Sequence, residues 1–320
     1  PRSTLFPHDA LPISLALECF AAAGCEAAAL EAGLGGRYDA TTACDPVVAV
    51  LTPISYDHMD ILGETLAAIA GEKAMIIKGQ APAALAPQPD EARAVLLDRC
   101  RAVGAPVVRV EEEYRWTRHE ESPDGQKFDL NGRREISGLF LPLSGEHQLV
   151  NAATAVAALD AASAFGLGVP DAAVRAGLAS VRWPARFQRV RRSPDVILDG
   201  AHNAASAAFL RETILRLYSG RRVTAVVGLG ADKDVEGFGR ELASCLSRLV
   251  ITRSRAMKAA EVARVRAAFA GSDLDIGEAA EVAVAMEKAL AGAGPDEVVV
   301  VTGSFYVISE AMAALGISAV

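Results

Sequence analysis

The stretch from Val196 to Gly230, VILDGAHNAASAAFLRETILRLYSGRRVTAVVGLG, predicts a strand, a helix and a second strand in succession. Val196–Leu198 and Val223–Val227 are short apolar runs rich in β-branched residues, as buried strands are. Ala204–Tyr218, between them, has the length of a helix. Strands that are connected through a helix run parallel, so this stretch predicts a parallel sheet covered by helices.

The alternation of strands and helices continues to the end of the chain. The further predicted elements are helix Val235–Leu246, strand Leu249–Thr252, helices Ala259–Phe269 and Glu278–Leu290, and strand Val298–Thr302. We therefore predict the α/β class, with a Rossmann-like, mostly parallel C-terminal domain over residues 189–320.

The first half of the chain predicts another domain, over residues 14–183. Its predicted elements are helix Ser14–Ala23, strands Glu26–Glu31 and Val47–Ile54, helices Glu64–Lys78 and Glu91–Val103, antiparallel hairpins over Val107–Leu143, and helices Gln148–Phe165 and Pro170–Leu178. Because Pro184 ends the preceding element, residues 184–188 are predicted to link the two domains. Residues 1–13 do not have the pattern of a signal peptide, and we expect them to be a non-native tail.

The composition argues against several classes of partner. The 320 residues carry a net charge of −8, and no run of lysine and arginine covers a helix face, whereas nucleic-acid phosphates need clustered cations. No apolar run reaches the roughly 18 residues that a membrane span needs. The five cysteines have irregular spacings, so we expect reduced thiols in a cytoplasmic protein. Separately, we expect a monomer.

Two polar groups follow neighbouring predicted strands in the first half. Glu31 ends one strand and His58 lies in the turn after the next, so a carboxylate and an imidazole could share a divalent cation carried by a nucleotide. The alternative is a loop acid and a hydrogen-bonded turn histidine. Lys73 falls in the apolar stripe of its predicted helix, where burial should lower the pKa of its amine and permit a metal-binding carbamate. The alternative is that Lys73 reaches solvent or pairs with Glu72.

Asp199-Gly200-Ala201-His202-Asn203 lies between a predicted strand end and a helix start. Backbone N–H groups and the helix dipole favour an anion there. Asp199 suits a ribose hydroxyl or an ammonium group, and His202 suits a phosphate or a carboxylate. The alternative is an ordinary helix entry capped by Asn203. Gly228 and Gly230 match only part of a dinucleotide-binding motif, which leaves a nicotinamide-dependent oxidoreductase as a weaker alternative.

Seven blocks of sequence together resemble the folylpolyglutamate synthase/dihydrofolate synthase family of the Mur ligase superfamily. The blocks are EAGLGGRYDATTACDP from Glu31, DHMDILGETLAAIAGEKAMIIK from Asp57, LPLSGEHQLVNAATAVAAL from Leu141, WPARFQ from Trp183, ILDGAHN from Ile197, ADKDVEG from Ala231 and VVTGSFY from Val300. The resemblance implies a Mur-ligase-type central ATPase domain and a C-terminal glutamate-binding domain. It implies an ATP-dependent ligase that adds L-glutamate to dihydropteroate or to the γ-glutamyl tail of folates through an acyl phosphate.

The resemblance also implies a role for each matching residue. By this implication, Glu31 and His58 are magnesium ligands, and Lys73 is a carbamylated lysine that binds a second magnesium ion. The pterin-bearing substrate is contacted by Arg37, Tyr38 and Asp39, and the base, phosphates and ribose of ATP by Asn151, Arg186 and Asp199. The glutamate and the acyl phosphate lie near His202 and Ser304. Lys73, Arg186 and His202 are then the expected catalytic residues.

One departure from the family bears on activity. No G-x-x-G-K-[ST] phosphate loop occurs in the 320 residues, so we expect an incomplete ATPase domain and a chain that turns over ATP poorly. Two other interpretations stay open, namely a Mur peptidoglycan ligase acting on a UDP-sugar and a fragment that only binds nucleotide or folate. The sequence also leaves open which folate substrate the ligase uses.

Overall fold

The computed structural model describes residues 7–255 and 258–318. Its helices are α1 (Pro7–Ala22), α2 (Met59–Leu62), α3 (Leu66–Lys73), α4 (Asp90–Val103), α5 (Val110–Glu113), α6 (Glu146–Ala162), α7 (Asp171–Ala179), α8 (Ala204–Leu217), α9 (Val235–Leu242), α10 (Val262–Ala268), α11 (Val282–Ala291) and α12 (Phe305–Ala314). Its strands are β1 (Ala49–Leu51), β2 (Ala83–Leu85), β3 (Val107–Arg109), β4 (Arg115–Ser122), β5 (Gly125–Asn131), β6 (Glu135–Leu141), β7 (Gln188–Arg191), β8 (Asp195–Leu198), β9 (Val223–Val227), β10 (Arg248–Ile251), β11 (Asp275–Glu278) and β12 (Val298–Thr302). Of the expected tail, residues 1–6 lie outside the described residues, and residues 7–13 lie in α1.

Contacts divide the chain into two compact units. The first unit comprises the residues up to Arg115 together with Val150–Pro170, and the second comprises Trp116–Leu149 together with the residues from Asp171 onward. The predicted α/β class is confirmed. The domain bounds 14–183 and 189–320, with a linker at 184–188, stay a prediction. In the described part of the chain, no helix combines the length and the apolar character of a membrane span.

A parallel sheet with the order β1-β2-β3 forms the centre of the first unit. The central strand, β2, is buried along its whole length. Helices α3 and α4 add fully buried side chains to the same core, Ile69 and Leu96 among them. The strand predicted at Val47–Ile54 and the two helices after it are therefore confirmed, with β1 shorter than expected.

The strand predicted at Glu26–Glu31 is wrong. Residues 27–32 have no regular structure, and residues 26–31 are exposed. No strand among the described residues pairs with this segment, so its backbone has no ladder to join. The successive alanines Ala27–Ala29 also have a low preference for β-strands, because their small side chains make few packing contacts in a sheet.

The antiparallel hairpins predicted over Val107–Leu143 begin later than expected. Strand β3 pairs in parallel with β2, and α5 follows it. Strands β4, β5 and β6 then form a sheet of their own, in which β5 and β6 run antiparallel. The predicted turn at Asp124-Gly125 joins β4 to β5. Gly125 has a φ of +135°, and a Cβ atom there would lie 2.4 Å from the carbonyl oxygen of Leu141.

A larger sheet forms the centre of the second unit, with the order β11-β10-β9-β12-β8-β7 within the described residues. Strands β8 to β12 are parallel, which confirms the Rossmann-like prediction. The edge strand β7 is antiparallel to β8, with a register shift between Arg189 and Arg191. The sequence analysis does not predict β7, β11 or α12.

Different helices cover the two faces of this sheet. Helices α8, α9 and α10 pack on one face through residues such as Leu210 and Phe238. Helices α11 and α12 pack on the other face through residues such as Met286 and Ile308. The neighbouring strands β8 and β12 are thus followed by helices on opposite faces, so their carboxyl ends form a topological switch point, where a crevice holds ligands in such sheets.

Gly303 brings the strand ends close together at this crevice. It has a φ of +103°, and a Cβ atom on it would lie 2.6 Å from the carbonyl oxygen of Gly228 after β9. Its N–H donates to the carbonyl oxygen of Ala201, after β8, at 2.9 Å. The backbone at the ends of β8, β9 and β12 is therefore in direct contact.

Burial decides what a leucine of α8 contributes to stability. Leu210 is 2% exposed, whereas Leu215 on the same helix is 50% exposed. We expect Leu210→Ala to lower the free energy of unfolding by about 2–5 kcal/mol, and Leu215→Ala to lower it by less than about 1 kcal/mol. Both tryptophans, Trp116 and Trp183, lie in the second unit, so urea unfolding followed by tryptophan fluorescence reports on that unit. Equal losses for the two variants would contradict the packing of α8.

Candidate functional site

The Asp39 carboxylate holds the glycine loop that follows Glu31. Its Oδ2 accepts hydrogen bonds from the backbone N–H groups of Gly33 at 2.8 Å and Leu34 at 3.1 Å. Its Oδ1 accepts from the N–H of Thr41 at 2.9 Å and from the Thr41 hydroxyl at 2.6 Å. Burial raises the pKa of Asp39, but the four hydrogen bonds outweigh burial, and the pKa lies below its usual value. Asp39 therefore shapes the loop as an ionised acceptor.

The glycine loop packs on the last turn of α3. A Cβ atom on Gly36 would lie 2.7 Å from the carbonyl oxygen of Glu72 and 3.0 Å from that of Lys73, so the loop can approach the helix only through a glycine. The Arg37 Nε donates to Glu72 Oε1 at 2.9 Å, and this bond raises the pKa of Arg37. Arg37 and the backbone of Lys73 thus lie in one corner of the first unit.

Lys73 is half-buried rather than buried, which corrects the inference from the apolar stripe. Helix α3 ends at Lys73, and its buried residues Ile69 and Ala70 lie one turn earlier. A 3₁₀ turn over Ala74–Ile76 follows α3 directly, and the long side chain of Lys73 at this junction can still extend toward solvent. The suggested pairing with Glu72 is also wrong, since Glu72 pairs with Arg37 and Lys73 makes no ion pair with any described residue.

His58 begins α2 with a φ of +52°, in the left-handed region that non-glycine residues rarely adopt. Its N–H donates to Asp57 Oδ1 at 2.9 Å, so the hydrogen-bonded turn that was the alternative interpretation is present. Its imidazole is exposed, with Nε2 3.9 Å from Asp57 Oδ2. Strained backbone under an exposed imidazole is typical of a functional position.

Gln88 fixes the chain that leads to His58, and the sequence analysis does not single it out. Its buried side-chain amide accepts a hydrogen bond from the N–H of Ile54 at 2.9 Å and donates to the carbonyl oxygen of Thr52 at 2.9 Å. These bonds extend the pairing of β1 and β2 beyond the end of the strands. In the sequence, Gln88 stands out only as a polar residue between two prolines, Pro87 and Pro89. This pattern does not reveal which backbone groups its side chain reaches.

The potential metal ligands of the first unit do not form a preassembled cluster within the described residues. Within residues 7–255 and 258–318, no group of three or more His, Cys, Asp or Glu side chains could hold a metal ion by itself. Glu31 and His58 are both exposed. Magnesium keeps several waters and takes one or two protein ligands together with substrate phosphates. The assignment of Glu31 and His58 as magnesium ligands therefore stays a prediction.

A cavity of about 340 Å³ lies beside the glycine loop. Arg37, Tyr38 and Asp39 line it together with Ile13 and Leu17 from α1. The side chain of Tyr38 is 63% exposed, so its ring can stack against a ligand. The three residues expected to contact the pterin-bearing substrate therefore line one cavity, of a size that suits a small organic group.

Asp199 joins the end of β8 to the segment before β7. Its Oδ2 accepts a hydrogen bond from the N–H of Phe187 at 2.8 Å, and its Oδ1 accepts from the N–H of Ala201 at 2.9 Å. Burial raises the pKa of Asp199, although these two hydrogen bonds and the positive charges of Arg186 and His202 act in the opposite direction. The carboxylate thereby anchors both segments.

The helix entry after Asp199 is capped, as the alternative interpretation expects. Asn203 Oδ1 accepts from the N–H of Ser206 at 2.9 Å, and the two residues form a capping box. His202 Nδ1 lies 2.9 Å from the carbonyl oxygen of Gly200. Because a carbonyl only accepts, Nδ1 carries the proton in this arrangement.

Arg186 reaches the same strand ends. Its guanidinium carbon lies 5.1 Å from the ring centroid of Phe305, the first residue of α12. Ser304, the N-cap of α12, accepts a backbone hydrogen bond at 3.1 Å through its hydroxyl. The structure therefore brings Arg186, Asp199, His202 and Ser304 together at the carboxyl ends of β8 and β12.

Asn151 belongs to the first unit, where it is exposed on α6.

A residue that the sequence analysis misses, His147, lies near the start of the same helix and in the second unit. Its ring stacks on Phe209 with centroids 5.0 Å apart. Burial, together with the positive charges of Arg186 and Arg216, lowers the pKa of His147 to about 4, so its imidazole is neutral at pH 7. In the sequence, His147 could have been singled out because it lies in SGEHQ, within the block of family resemblance that begins at Leu141.

Two protein-family models match the chain in succession. The Mur ligase middle domain matches residues 7–159, and the Mur ligase glutamate ligase domain matches residues 185–305. The order is that of the two domains expected from the resemblance.

Three curated relatives have the same two activities in their names. The dihydrofolate synthase/folylpolyglutamate synthase of Mycobacterium tuberculosis is 38% identical over 78% of this chain and 53% of its own length. The enzyme of that name from Bacillus subtilis is 31% identical over 88% of this chain and 65% of its own length, and the one from Escherichia coli is 37% identical over 93% and 67%. The chain thus spans from about half to two thirds of the length of these relatives.

Solved structures agree with these matches. A Mycobacterium tuberculosis folylpolyglutamate synthase complexed with ADP and AMPPCP has a TM-score of 0.87 at 34% identity, over 96% of this chain and 72% of that chain. Escherichia coli FolC in complex with DHPP and ADP has a TM-score of 0.80 at 33% identity, over 90% of this chain and 66% of that chain. Sequence, domain order and fold thus agree, and the chain belongs to the folylpolyglutamate synthase/dihydrofolate synthase family.

Proposed function

We propose that the protein is part of an ATP-dependent ligase that adds L-glutamate to dihydropteroate, to the γ-glutamyl tail of folates, or to both. The observation that carries this proposal is the gathering of Arg186, Asp199, His202 and Ser304 at the crevice between β8 and β12, in a domain of the glutamate ligase type. The names of the relatives and the ADP, AMPPCP and DHPP bound to solved relatives support it.

The reaction has two steps. The γ-phosphoryl group of ATP is transferred to a substrate carboxylate, which gives an acyl phosphate and ADP. The amine of glutamate then attacks the acyl carbon, phosphate leaves and an amide bond forms. Because charge moves among the oxygens of the transferring group, fixed cations and N–H donors supply most of the catalysis. Arg186 is a permanently charged group at the crevice that can take this role.

The other residues of the crevice would position the substrates. Each oxygen of Asp199 accepts one backbone N–H and keeps a second lone pair for a ribose hydroxyl. His202 and Ser304 would lie against the glutamate and the acyl phosphate. Asn151, exposed on α6, would contact the adenine base.

The cavity beside the glycine loop would receive the pterin-bearing substrate. Tyr38 would stack on the pterin ring, and Arg37 would contact its polar atoms. Asp39 would act indirectly, because its oxygens already hold the loop.

Glu31 and His58 would hold one magnesium ion, and Lys73, as a carbamate, would hold a second. Bound magnesium would neutralise part of the charge on the ATP phosphates. Lys73 is half-buried, so carbon dioxide can reach its side chain from solvent, and the neutral form of the amine is the one that would react.

We also propose that the 320 residues alone turn over ATP poorly. They contain no G-x-x-G-K-[ST] motif, and in this reaction the backbone N–H groups of such a loop cradle the phosphates. The ligase activity is therefore proposed for the complete protein.

The first test is ligation itself. A fusion that adds the phosphate-loop segment of the Mycobacterium tuberculosis relative should join radiolabelled glutamate to dihydropteroate or to a reduced folate. The 320-residue chain alone should be at least about a hundredfold slower, because donors to the transferring phosphoryl group are missing. Arg186→Ala should slow the fusion by about a hundredfold, whereas Arg191→Ala, an exposed cation on β7, should not. Transfer to a UDP-sugar instead would identify a peptidoglycan ligase.

The metal ligands can be tested with manganese as a spectroscopic probe. In the fusion with ADP present, Glu31→Gln and His58→Ala should each weaken Mn²⁺ binding by at least about tenfold, measured by electron paramagnetic resonance. His119→Ala is the control, because His119 is also exposed but lies 2.9 Å from Asp129 in the second unit. Unchanged binding in the first two variants would remove Glu31 and His58 from the metal site.

Carbamylation of Lys73 predicts a carbon signal of its own. With ¹³C-labelled bicarbonate at pH 8, the protein should show a carbamate resonance that disappears in Lys73→Arg. The resonance should persist in Lys78→Arg, because the Lys78 amine already donates to the carbonyl oxygens of Thr42 and Cys44. A protein without this resonance, or one that keeps it in Lys73→Arg, would contradict the assignment.

A further inference from the structure

Arg186 is held in a different way from other arginines of the second unit. Arg189 pairs with Asp124 and Asp195, and Arg216 pairs with Glu121, so carboxylates take up their N–H groups. The Arg186 guanidinium makes no hydrogen bond or ion pair with any residue that the structure describes. Its contact is with the ring of Phe305, 5.1 Å from guanidinium carbon to ring centroid.

Gly200 leaves the space in which Arg186 and Phe305 make their contact. A Cβ atom on Gly200 would lie 2.7 Å from Arg186 Nη1 and 2.7 Å from Phe305 Cζ, so the missing side chain makes room for both groups. Gly200 in turn donates its N–H to the carbonyl oxygen of Ala185 at 2.8 Å. The glycine after Asp199 thus fixes the chain beside Arg186 and leaves space for its side chain.

The residues on both sides of Arg186 have unusual backbone angles. Ala185 has a φ of +60° and Phe187 a φ of +46°, although neither is glycine. Both are held in place, Phe187 through Asp199 and Ala185 through Gly200. Strained backbone that the surroundings hold in one conformation is characteristic of residues that must be placed accurately.

An aromatic ring is a suitable support for a guanidinium group that must bind an anion. The ring contacts the flat face of the guanidinium, whereas the N–H donors point outward from its edge. A carboxylate partner would occupy those donors instead, as in Arg189 and Arg216. A ring therefore fixes the position of the charge and leaves the donors for a phosphoryl group.

We propose that Phe305 is a positioning residue whose ring holds the Arg186 guanidinium ready for a phosphoryl oxygen at the crevice between β8 and β12. The proposal rests on the proposed function for the identity of the anion. Phe305 is 48% exposed, so its removal takes little from the core, and its effect on ligand binding can be separated from folding.

The test uses the 320-residue chain and inorganic pyrophosphate as the probe, with affinity measured by calorimetry. Phe305→Leu should weaken binding about three- to tenfold, because a cation–π contact is lost. Phe305→Tyr keeps a ring and should bind within about twofold of the unaltered chain. Phe165→Leu replaces another exposed phenylalanine, in the first unit, and should have no effect.

A double-mutant cycle shows whether Phe305 acts through Arg186. In an Arg186→Gln background, Phe305→Leu should have no further effect on pyrophosphate affinity. The side-chain N–H resonance of Arg186 should also lose its ring-current shift in Phe305→Leu and keep it in Phe305→Tyr, a change that a purely structural role would not require. Additive losses, an unshifted resonance, or no pyrophosphate binding by the unaltered chain would overturn the proposal. If the coupling holds but the fusion does not ligate glutamate, the proposed function fails and the positioning role stands.

Discussion

The Asp199 carboxylate connects the two segments from which the crevice of the second unit is made. One oxygen holds Phe187, next to Arg186, and the other holds Ala201, at the entry to α8. Burial raises the pKa of this acid, so its ionised form depends on the two N–H donors and on the nearby positive charges. Asp199 thus holds the segment that carries Arg186, and the charge of Arg186 in turn favours the ionised form of Asp199.

Asp39 in the first unit also anchors a loop through its carboxylate, but its pKa is shifted in the opposite direction. Both carboxylates hold a loop through backbone N–H groups, but Asp39 receives four hydrogen bonds and its carboxyl group is less buried than that of Asp199. Its pKa falls below the usual value, whereas that of Asp199 rises. The glycine loop is thus fixed by an acid that stays ionised at neutral pH, and Gly36 lets that loop lie against α3.

The parts of the structure that local pattern determines were predictable, and the parts that depend on distant partners were not. Runs such as Val223–Val227 predict buried strands because length and branching are local properties. The run Glu26–Glu31 looks similar, but a strand also needs a neighbour, which the sequence does not reveal. The stripe containing Lys73 predicts a helix correctly but not that the helix ends there. The resemblance indicated Arg186, whereas Phe305 emerges only when its ring is seen against the guanidinium.

The edges of the larger sheet bear on how the protein behaves at high concentration. On one side β7 is four residues long, carries arginines and loses register at Arg191; on the other, β11 is equally short and begins and ends with an acid. An unpaired strand from a second molecule would find few consecutive N–H and carbonyl groups on either side, and would have to bury charge to reach them. The parallel core, which is almost pure valine in β12, is in this way shielded from growing into a fibril.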